Sequence, residues 1–577
     1  MASSDLRSRY GRKHLSELRD DEFLVSQPKL RRPTVTQWLS MRHWLLIVAF
    51  AAVTFLLSVY LHTWLPEPMP PTVSPQDTRF SEIRTRIFLN KLAALGSKPS
   101  GSPELEVEAT NLVLEELRLI ERSVRPVHRM EVDTQRASGC YDLNRFDRFT
   151  LCYRNVINVV VRFGPSQSSP TQHSVLVNCH YDSWPGSPGA SDDGVSCALM
   201  MEILRVLSQE AEPLPNDVIF LFNGAEENIL QAAHGFITQH PWRHSIRAFI
   251  NLEAAGAGGR EILFQAGPGN QWLLNTYLQS APRPHCSVMG QEIFEGGLIP
   301  GDTDFRIFRD FGAISGLDLA FIRNGYVYHT EFDRPEYITN GSVQRAGENV
   351  LETLRALVSS PYLGHQADYK QGRSVFFDVL GLFTVVYPLA LGELLNYATV
   401  VMVVAKIIWN FVQNRSQPDY GTAKLGSSYG AAEFVEALLL HLGAFVVMLA
   451  AMLMLTQVVT LLGLNLVWYS TQWLVVFIYV LPVLTSGLAV HALAAQHFFQ
   501  STSGVVEEFQ LNDRCAERCL FDAHLFVLAV VLQLMTMCDI ASAFIFLLLT
   551  VFPLMRDPLL HLIYVVFDDL SEFARYF

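Results

Sequence analysis

The sequence predicts an α/β fold, a mostly parallel central sheet flanked by helices, joined to one N-terminal transmembrane helix and a C-terminal multi-span α-helical membrane domain. Three observations lead to this fold class. Short apolar runs alternate with helical patterns over residues 66–369, the uncharged apolar run at 43–64 is long enough to span a bilayer, and residues 375–577 are apolar almost throughout. Alternating strands and helices favour a parallel sheet, because parallel strands need crossover connections.

The elements of the α/β domain at 66–369 follow from hydrophobic periodicity and from turn residues. Short β-branched and apolar runs predict strands at residues 156–161, 174–179, 218–222, 248–252, 261–264 and 319–322. Apolar residues at helical spacing predict helices at residues 80–95, 104–122, 196–207, 270–279 and 343–358. Helices separate several of the strands, as a mostly parallel sheet requires.

The apolar run at residues 43–64 contains no Asp, Glu, Lys or Arg, and it can cross about 30 Å of hydrocarbon. It starts too late and runs too long for a cleaved signal peptide. Basic residues are frequent before it, whereas residues 66–77 carry none. The positive-inside rule therefore predicts a cytosolic basic tail at 1–42 and a lumenal or extracellular domain at 66–369.

The C-terminal region, residues 375–577, contains several apolar runs of spanning length, at 389–412, 434–462, 473–494 and 525–552. The last run forms one tilted helix or two short ones, because Cys538-Asp539 interrupts it. We therefore expect four to six spans here and a lipid bilayer as a partner. The net charge of −13 argues against nucleic-acid binding.

Polar clusters directly follow several predicted strands. His180 and Asp182 come at the end of the strand at 174–179, Glu226 and Glu227 follow the strand at 218–222, and Glu253 follows the strand at 248–252. In an open α/β sheet the carboxyl ends of the strands form the ligand site, so we expect these side chains to converge. Imidazole and carboxylate clusters of this kind indicate a metal site.

Two divalent ions held a few Å apart need one bridging ligand and two further ligands each. The sequence supplies such a set, and its donors favour zinc over calcium or magnesium: His180, Asp192, Glu227, Glu253 and His329. Taken singly, each of these residues has an ordinary explanation as a turn, a helix cap or a solvated acid. Their joint occurrence in order behind strands favours the metal site.

Two further acids have roles beside the metal ligands. Glu226 lies next to Glu227, so one carboxylate can bind metal while the other takes a proton from water. Asp182 lies two residues after His180, where a carboxylate can hold the imidazole in the required tautomer.

The motifs resemble a known superfamily. His-x-Asp-Ser at 180–183, Asp-Asp-Gly at 192–194, Gly-Ala-Glu-Glu at 224–227, Asn-Leu-Glu at 251–253 and Tyr-His-Thr at 328–330 are similar to those of the di-zinc aminopeptidases and carboxypeptidases. With one span before this domain and several after it, the chain resembles the endoplasmic reticulum metallopeptidase branch. Members of that branch usually continue well beyond this length, so we expect a short paralogue, an isoform or a truncated form.

The resemblance implies a site with two zinc ions (Zn2+). Asp192 would bridge them, His180 and Glu253 would complete one site, and Glu227 and His329 the other. Glu226 would be the general base acting on a zinc-bridging water, and Asp182 would orient His180. The implied protein is a membrane-anchored exopeptidase of the endoplasmic reticulum that hydrolyses lumenal peptides or proteins. Its substrate-binding residues and oligomeric state are not indicated by the sequence.

Three alternatives stay open. Residues 179–183 and 190–192 also resemble the metal region of the single-zinc glutaminyl cyclases. A catalytically silent scaffold on this fold would typically lose metal ligands, whereas this sequence keeps all five. A transporter is the third alternative, because ionisable residues lie in or near the C-terminal spans: Glu393, Glu433, Glu436 and His441.

Covalent features give further expectations. Cys140 and Cys152 bracket a polar loop outside the strand pattern, and an oxidising compartment would permit a disulfide between them. We expect Cys179 and Cys197 to be unpaired, small buried residues next to the metal clusters. The sequon at Asn340 predicts N-glycosylation if the domain is lumenal.

Overall fold

The computed structural model describes residues 41–71, 78–145, 147–166, 173–269, 271–299, 301–365, 372–415, 429–500 and 506–556. Residues 1–40 of the predicted basic tail at 1–42 lie outside the described residues. Helix α1 (Met41–Thr63) carries the uncharged apolar run, and its 23 residues extend about 35 Å at the usual rise per residue. The chain from Thr63 onwards forms a second compact unit.

The second unit contains a seven-stranded sheet: β1 (His128–Arg145), β2 (Asp147–Pro165), β3 (Ser174–His180), β4 (Asp217–Asn223), β5 (Ile246–Ala254), β6 (Ile262–Gly267) and β7 (Ser315–Phe321). The strand order is β1-β2-β4-β3-β5-β7-β6. Strands β4, β3, β5 and β7 are parallel, whereas β1, β2 and β6 join antiparallel. The predicted α/β class is confirmed, with a mixed sheet whose parallel part is central.

Helices cover both faces of the sheet: α2 (Glu82–Ala93), α3 (Thr110–Glu121), α4 (Val195–Ser208), α5 (Gln231–Gln239), α6 (Gln271–Ser280), α7 (Val288–Glu295), α8 (Asp304–Asp310) and α9 (Ser342–Val358). Alternate residues of β3 show the two layers. Val175 and Val177 pack with α2, α3, α4 and α9 in one core, and Leu176 packs with α5 and α8 in the other. All seven residues of β3 are buried, as expected for a central parallel strand.

Strand β1 was not predicted from the sequence. It pairs with β2 along nearly its whole length, and Cys140 lies opposite Cys152 in that register. The two cysteines therefore lie within strands, and the expectation of a loop around them is wrong. A disulfide joins them.

A second disulfide joins Cys179 at the end of β3 to Cys197 in the first turn of α4. Both residues are fully buried, as expected, but the expectation that they are unpaired is wrong. The cause is local packing. The chain leaves β3, returns through one loop and starts α4 against the same strand end, which brings the two sulfur atoms together.

The C-terminal part begins with a hairpin, β8 (Ser374–Val379) and β9 (Phe383–Pro388), that was not predicted. Within the described part of this region six α-helices follow: α10 (Leu389–Arg415), α11 (Ala431–Leu461), α12 (Val467–Ser470), α13 (Leu481–Gln500), α14 (Val506–Met537) and α15 (Phe544–Leu554). Among the described residues, four segments are long and apolar enough to cross a membrane, at Leu389–Val412, Ala431–Leu461, Val476–Ala494 and Arg518–Met537. The apolar run at 525–552 is two helices, because the chain turns at Asp539, whose φ is +54°.

The apolar helices contact the α/β domain at the turn between α14 and α15. Glu292 of α7 accepts hydrogen bonds from the backbone N–H groups of Ala541 and Ser542, the latter at 2.9 Å. Arg373 donates to the carbonyl oxygen of Asp539 at 3.0 Å and lies 3.3 Å from the Glu292 carboxylate. Charged groups of the α/β domain thus cap the free backbone groups of this turn.

Candidate metal centre

The predicted site residues come together at the carboxyl ends of the central strands. His180 ends β3 and lies opposite Asn223, the last residue of β4, so Glu226 and Glu227 follow at the same edge. Glu253 lies near the end of β5. His329 lies two residues after the helical turn Gly325–Val327, which itself follows β7. Parallel pairing of β4, β3, β5 and β7 is what brings these side chains to one edge.

Asp192 is the centre of the cluster. Its Oδ1 lies 3.3 Å from His180 Nε2, and its Oδ2 lies 3.0 Å from His329 Nε2. Glu253 Oε2 lies 3.8 Å from His180 Nε2, and Glu227 Oε2 lies 3.1 Å from His329 Nε2. Two groups of three donors, each with its donor atoms within 4.8 Å of one another, therefore share Asp192.

These residues fit a pair of zinc ions. His180 Nε2, Asp192 Oδ2 and Glu227 Oε1 are buried and have no hydrogen bond of acceptable geometry among the described residues, although oppositely charged atoms are close. Unsatisfied buried polar atoms are costly and rare unless an ion or water completes them. Zinc prefers imidazole and carboxylate donors, whereas calcium and magnesium prefer sites made of oxygen atoms alone.

The electrostatics of the cluster require positive charge. Burial raises the pKa of Glu226 well above its usual value, and the nearby Glu253 carboxylate raises it further. Burial and Asp192 likewise raise the pKa of Glu227 to about 7. Burial lowers the pKa of His329, but the nearby carboxylates of Asp192 and Glu227 outweigh it and bring the value to about 9. Without a metal, bound protons must neutralise these closely spaced carboxylates. A dication would displace those protons.

The Asp182 side chain contacts both His180 and the two glutamates that follow β4. Its Oδ1 lies 3.4 Å from His180 Nδ1 and accepts the backbone N–H of Glu226 at 3.2 Å, while its Oδ2 accepts the backbone N–H of Glu227 at 3.1 Å. The carboxylate is fully buried. One side chain therefore connects the imidazole on β3 with the backbone of both glutamates after β4.

Glu226 lies beside the donor groups without belonging to either. Its Oε2 is 3.9 Å from His180 Nε2, and its side chain is 11% exposed. A carboxylate that borders the cluster and keeps some contact with the outside is suited to accept and deliver a proton.

Two residues that contact the donors, Asp333 and Trp184, were not predicted from the sequence. Asp333 accepts hydrogen bonds from the backbone N–H groups of Ser191 and Asp192, at 2.7 and 3.1 Å. The ring of His329 stacks on Trp184 and on Tyr328 of its own motif, with centroids 4.6 and 3.8 Å away. No spacing rule links Asp333 or Trp184 to the motifs, although Asp333 lies four residues after His329 in the chain.

A buried polar layer under the site was also missed. Asn251 donates to Asp318 at 3.0 Å and lies 3.4 Å from Glu253. Asp304 accepts hydrogen bonds from Asn178 at 2.9 Å and from Asn223. Burial raises the pKa of Asp304 to about 7. Side chains of adjacent parallel strands thus support Glu253 from below the sheet edge.

Two protein-family models match the chain. Residues 158–354 match the family model described as "Peptidase family M28". These residues form an M28 peptidase domain. A second model, the TM domain of endoplasmic reticulum metallopeptidase 1, matches residues 431–566. The M28 domain contains all the predicted donor residues, and the predicted resemblance to this superfamily and to its membrane branch is confirmed.

Curated relatives share both parts of the chain. Endoplasmic reticulum metallopeptidase 1 of Homo sapiens is 42% identical over 84% of this chain and 51% of its own length, and that of Rattus norvegicus is 41% identical over 82% and 51%. The vacuolar membrane protease of Yarrowia lipolytica is 34% identical over 41% of this chain and 23% of its own length. The chain spans about half the length of the endoplasmic reticulum relatives it matches.

Solved structures resemble the M28 domain at low sequence identity. BSAP, a zinc aminopeptidase from Bacillus subtilis, is 14% identical with a TM-score of 0.36, covering 48% of this chain and 95% of its own. A glutaminyl cyclase from Porphyromonas gingivalis is 16% identical with a TM-score of 0.35, covering 48% and 98%. Likenesses this distant do not separate the two activities.

Proposed function

We propose that this chain is a membrane-anchored di-zinc exopeptidase that hydrolyses peptides or proteins in the lumen of the endoplasmic reticulum. The observation that carries the proposal is the pair of three-residue donor groups that share Asp192. His180, Asp192 and Glu253 would hold one zinc ion, and Asp192, Glu227 and His329 the other. The M28 model match supports peptidase chemistry for this domain.

When bound, zinc ions polarise the scissile carbonyl and lower the pKa of a water molecule. The protein's own groups move the protons. Glu226 accepts a proton from the attacking water on its carboxylate and delivers it to the amine nitrogen of the leaving group. Glu226 Oε2 lies 3.9 Å from His180 Nε2, at the border of the donor groups, which places the carboxylate for this transfer. Asp182 holds the Glu226 backbone and the His180 ring in place for this transfer.

Lumenal orientation is supported by the basic N-terminal tail and by the order of the apolar helices. Helix α10 starts directly after strand β9, and the turns that follow α11 and α14 lie against the α/β domain at Gly325 and Glu292. Helices α10 and α13 therefore lead away from the domain, and α11 and α14 return to it. This alternation is what four successive spans require if the α/β domain lies on one side of the membrane.

The test measures zinc and hydrolysis on the purified full chain. Wild type should contain two zinc ions by elemental analysis and should trim a mixed peptide library, whose products identify the end that is attacked. Glu226→Gln should retain zinc and lose about 100-fold or more of the hydrolysis rate. Glu131→Gln, at a half-exposed strand position outside the site, is the matched control. Wild type that binds no zinc and cleaves nothing would leave a membrane scaffold on a peptidase fold.

The same library separates hydrolysis from cyclisation. Two donor groups favour a two-metal site over the single zinc of glutaminyl cyclases. Conversion of peptides with N-terminal glutamine, without cleavage of other peptides and with one zinc per chain, would contradict the proposed peptidase.

A further inference from the structure

We propose that the membrane domain completes the peptidase site. The turn between α11 and α13, residues 463–472, contacts the segment that carries His329, and Tyr469 in this turn is a positioning residue for that histidine. The proposal rests on the proposed function in that His329 is taken as a metal ligand. The contact itself is a feature of the fold and can be tested without metal or substrate.

The contact lies at Gly325, four residues before His329. A methyl group at position 325 would collide with the hydroxyl oxygen of Tyr469, and it would lie 2.9 Å from Tyr469 Cζ and 2.8 Å from the carbonyl oxygen of Ala255. Gly325 does not have a positive φ, so backbone conformation does not explain the glycine. Lack of space explains it, because the Tyr469 side chain closes over the backbone there.

The segment from Gly325 to His329 is held by its own hydrogen bonds. The N–H of Tyr328 donates to the Gly325 carbonyl at 3.0 Å, and the N–H of Thr330 donates to the Val327 carbonyl at 3.1 Å. Val327 is buried in the core of the α/β domain. A shift at Gly325 is therefore transmitted along one helical turn to the next residues.

His329 is sensitive to such a shift. Its φ is +59°, a left-handed conformation that is uncommon for residues other than glycine. The stacking of its ring between Trp184 and Tyr328 fixes the side chain but not the backbone before it. We infer that the van der Waals contact between Tyr469 and Gly325 helps to maintain this backbone conformation of His329.

The 463–472 turn can hold Tyr469 in place because backbone hydrogen bonds fix its conformation. The N–H of Leu464 donates to the Val459 carbonyl at 3.0 Å, and the N–H of Tyr469 donates to the Leu466 carbonyl at 2.9 Å. Gly463 has a φ of +69°, which lets the chain turn at the end of α11. Tyr and Trp side chains are also those favoured at a membrane surface, where one end is apolar and the other is solvated.

The experiment compares Tyr469→Ala with wild type in the full chain, reconstituted in lipid nanodiscs. The primary readout is amide hydrogen exchange of residues 324–330, which needs neither zinc nor substrate. We expect faster exchange of this segment in Tyr469→Ala, and intermediate exchange in Tyr469→Phe, which keeps the ring but loses the hydroxyl that lies over Gly325. Leu466→Ala is the matched control, because its side chain is 64% exposed in the same turn. Exchange in Tyr469→Ala equal to that of the control would overturn the proposal.

The second readout is zinc affinity, measured by competition with a chromogenic chelator. Residues that orient a metal ligand typically contribute about 10- to 100-fold to metal affinity, and we expect a loss of about 10-fold in Tyr469→Ala. Gly325→Ala should cause a similar loss, and the double variant should be less impaired than the sum of the two, because they act on one contact. Strict additivity would contradict a shared contact. Wild type that binds zinc but cleaves no peptide would contradict the proposed function alone.

Discussion

Asp182→Asn is expected to weaken zinc binding although Asp182 is not itself a donor. The Asp182 carboxylate is fully buried, accepts the backbone N–H groups of Glu226 and Glu227 at 3.2 and 3.1 Å, and lies 3.4 Å from His180 Nδ1. An asparagine has nearly the same shape but replaces one acceptor oxygen with an NH2 group. At least one backbone N–H would then face a donor, and the charge opposite His180 would be lost.

The expected magnitude follows from these contacts. A hydrogen bond to a charged group contributes about 1.5–3 kcal/mol, and the asparagine loses at least one of the two. The metal-binding conformation should therefore be destabilised by about 1.5–3 kcal/mol, which corresponds to about a 10- to 100-fold loss of zinc affinity. The rate of hydrolysis at saturating zinc should fall as well, because Glu226 moves with its backbone.

Zinc affinity of Asp182→Asn would be measured by chelator competition, and kcat would be measured with zinc in excess. Asp133→Asn is the matched control, since Asp133 also faces a histidine, His240, but is 55% exposed and distant from the donors in the fold. Unchanged affinity and unchanged kcat in Asp182→Asn would refute the role of Asp182 in orienting His180 and the two glutamates.

Three further outcomes are expected. Zinc affinity should rise by at least about tenfold per pH unit between pH 7 and 9, because His329 (pKa about 9) must release a proton. His180 must release one too, since burial lowers its pKa but the Asp182 and Asp192 carboxylates raise it well above its usual value. The rise should be steeper below pH 7, where Glu227 (pKa about 7) must also lose a proton, and a flat profile in chelator titrations would contradict this. Asn340→Gln should remove one N-glycan, so that glycosidase treatment no longer changes the electrophoretic mobility of the chain. A wild-type chain without that glycan would argue against a lumenal domain. Replacing Cys140 and Cys152 by serine should lower the free energy of unfolding by about 2–3 kcal/mol, because the bridge closes a 12-residue separation; an unchanged melting temperature would show that β1–β2 pairing suffices.

The parts of the fold that could be predicted are those where local sequence and burial agree. Strands β3 and β4 are continuous apolar runs because helices cover both faces of the sheet at these strands. His180, Glu227 and Glu253 could be predicted as donors because they stand at or just after the ends of such runs. Strand β1 could not be found in this way. Its sequence is polar, its outer edge has no neighbouring strand among the described residues, and its strand character comes from pairing with β2.

The residues that contact the donors could not be predicted from the sequence, for a similar reason. Asp333 and Trp184 act through contacts with Ser191, Asp192 and His329 that depend on how loops meet at the sheet edge. Neither residue stands at a characteristic spacing from a motif. The disulfide between Cys179 and Cys197 likewise depends on where α4 starts relative to β3. The predicted donors thus follow from local sequence, whereas tertiary packing decides how their side chains are aligned.

The contact between Glu292 and the turn before α15 has a consequence for biosynthesis. Glu292 and Ser542 are 250 positions apart in the chain. At about 5–20 residues per second, the ribosome needs about 10–50 s to deliver the partner of that carboxylate. During this interval the Glu292 carboxylate lacks its backbone partners at Ala541 and Ser542. A nascent chain in which α14 and α15 fail to enter the bilayer would leave that carboxylate without these hydrogen bonds.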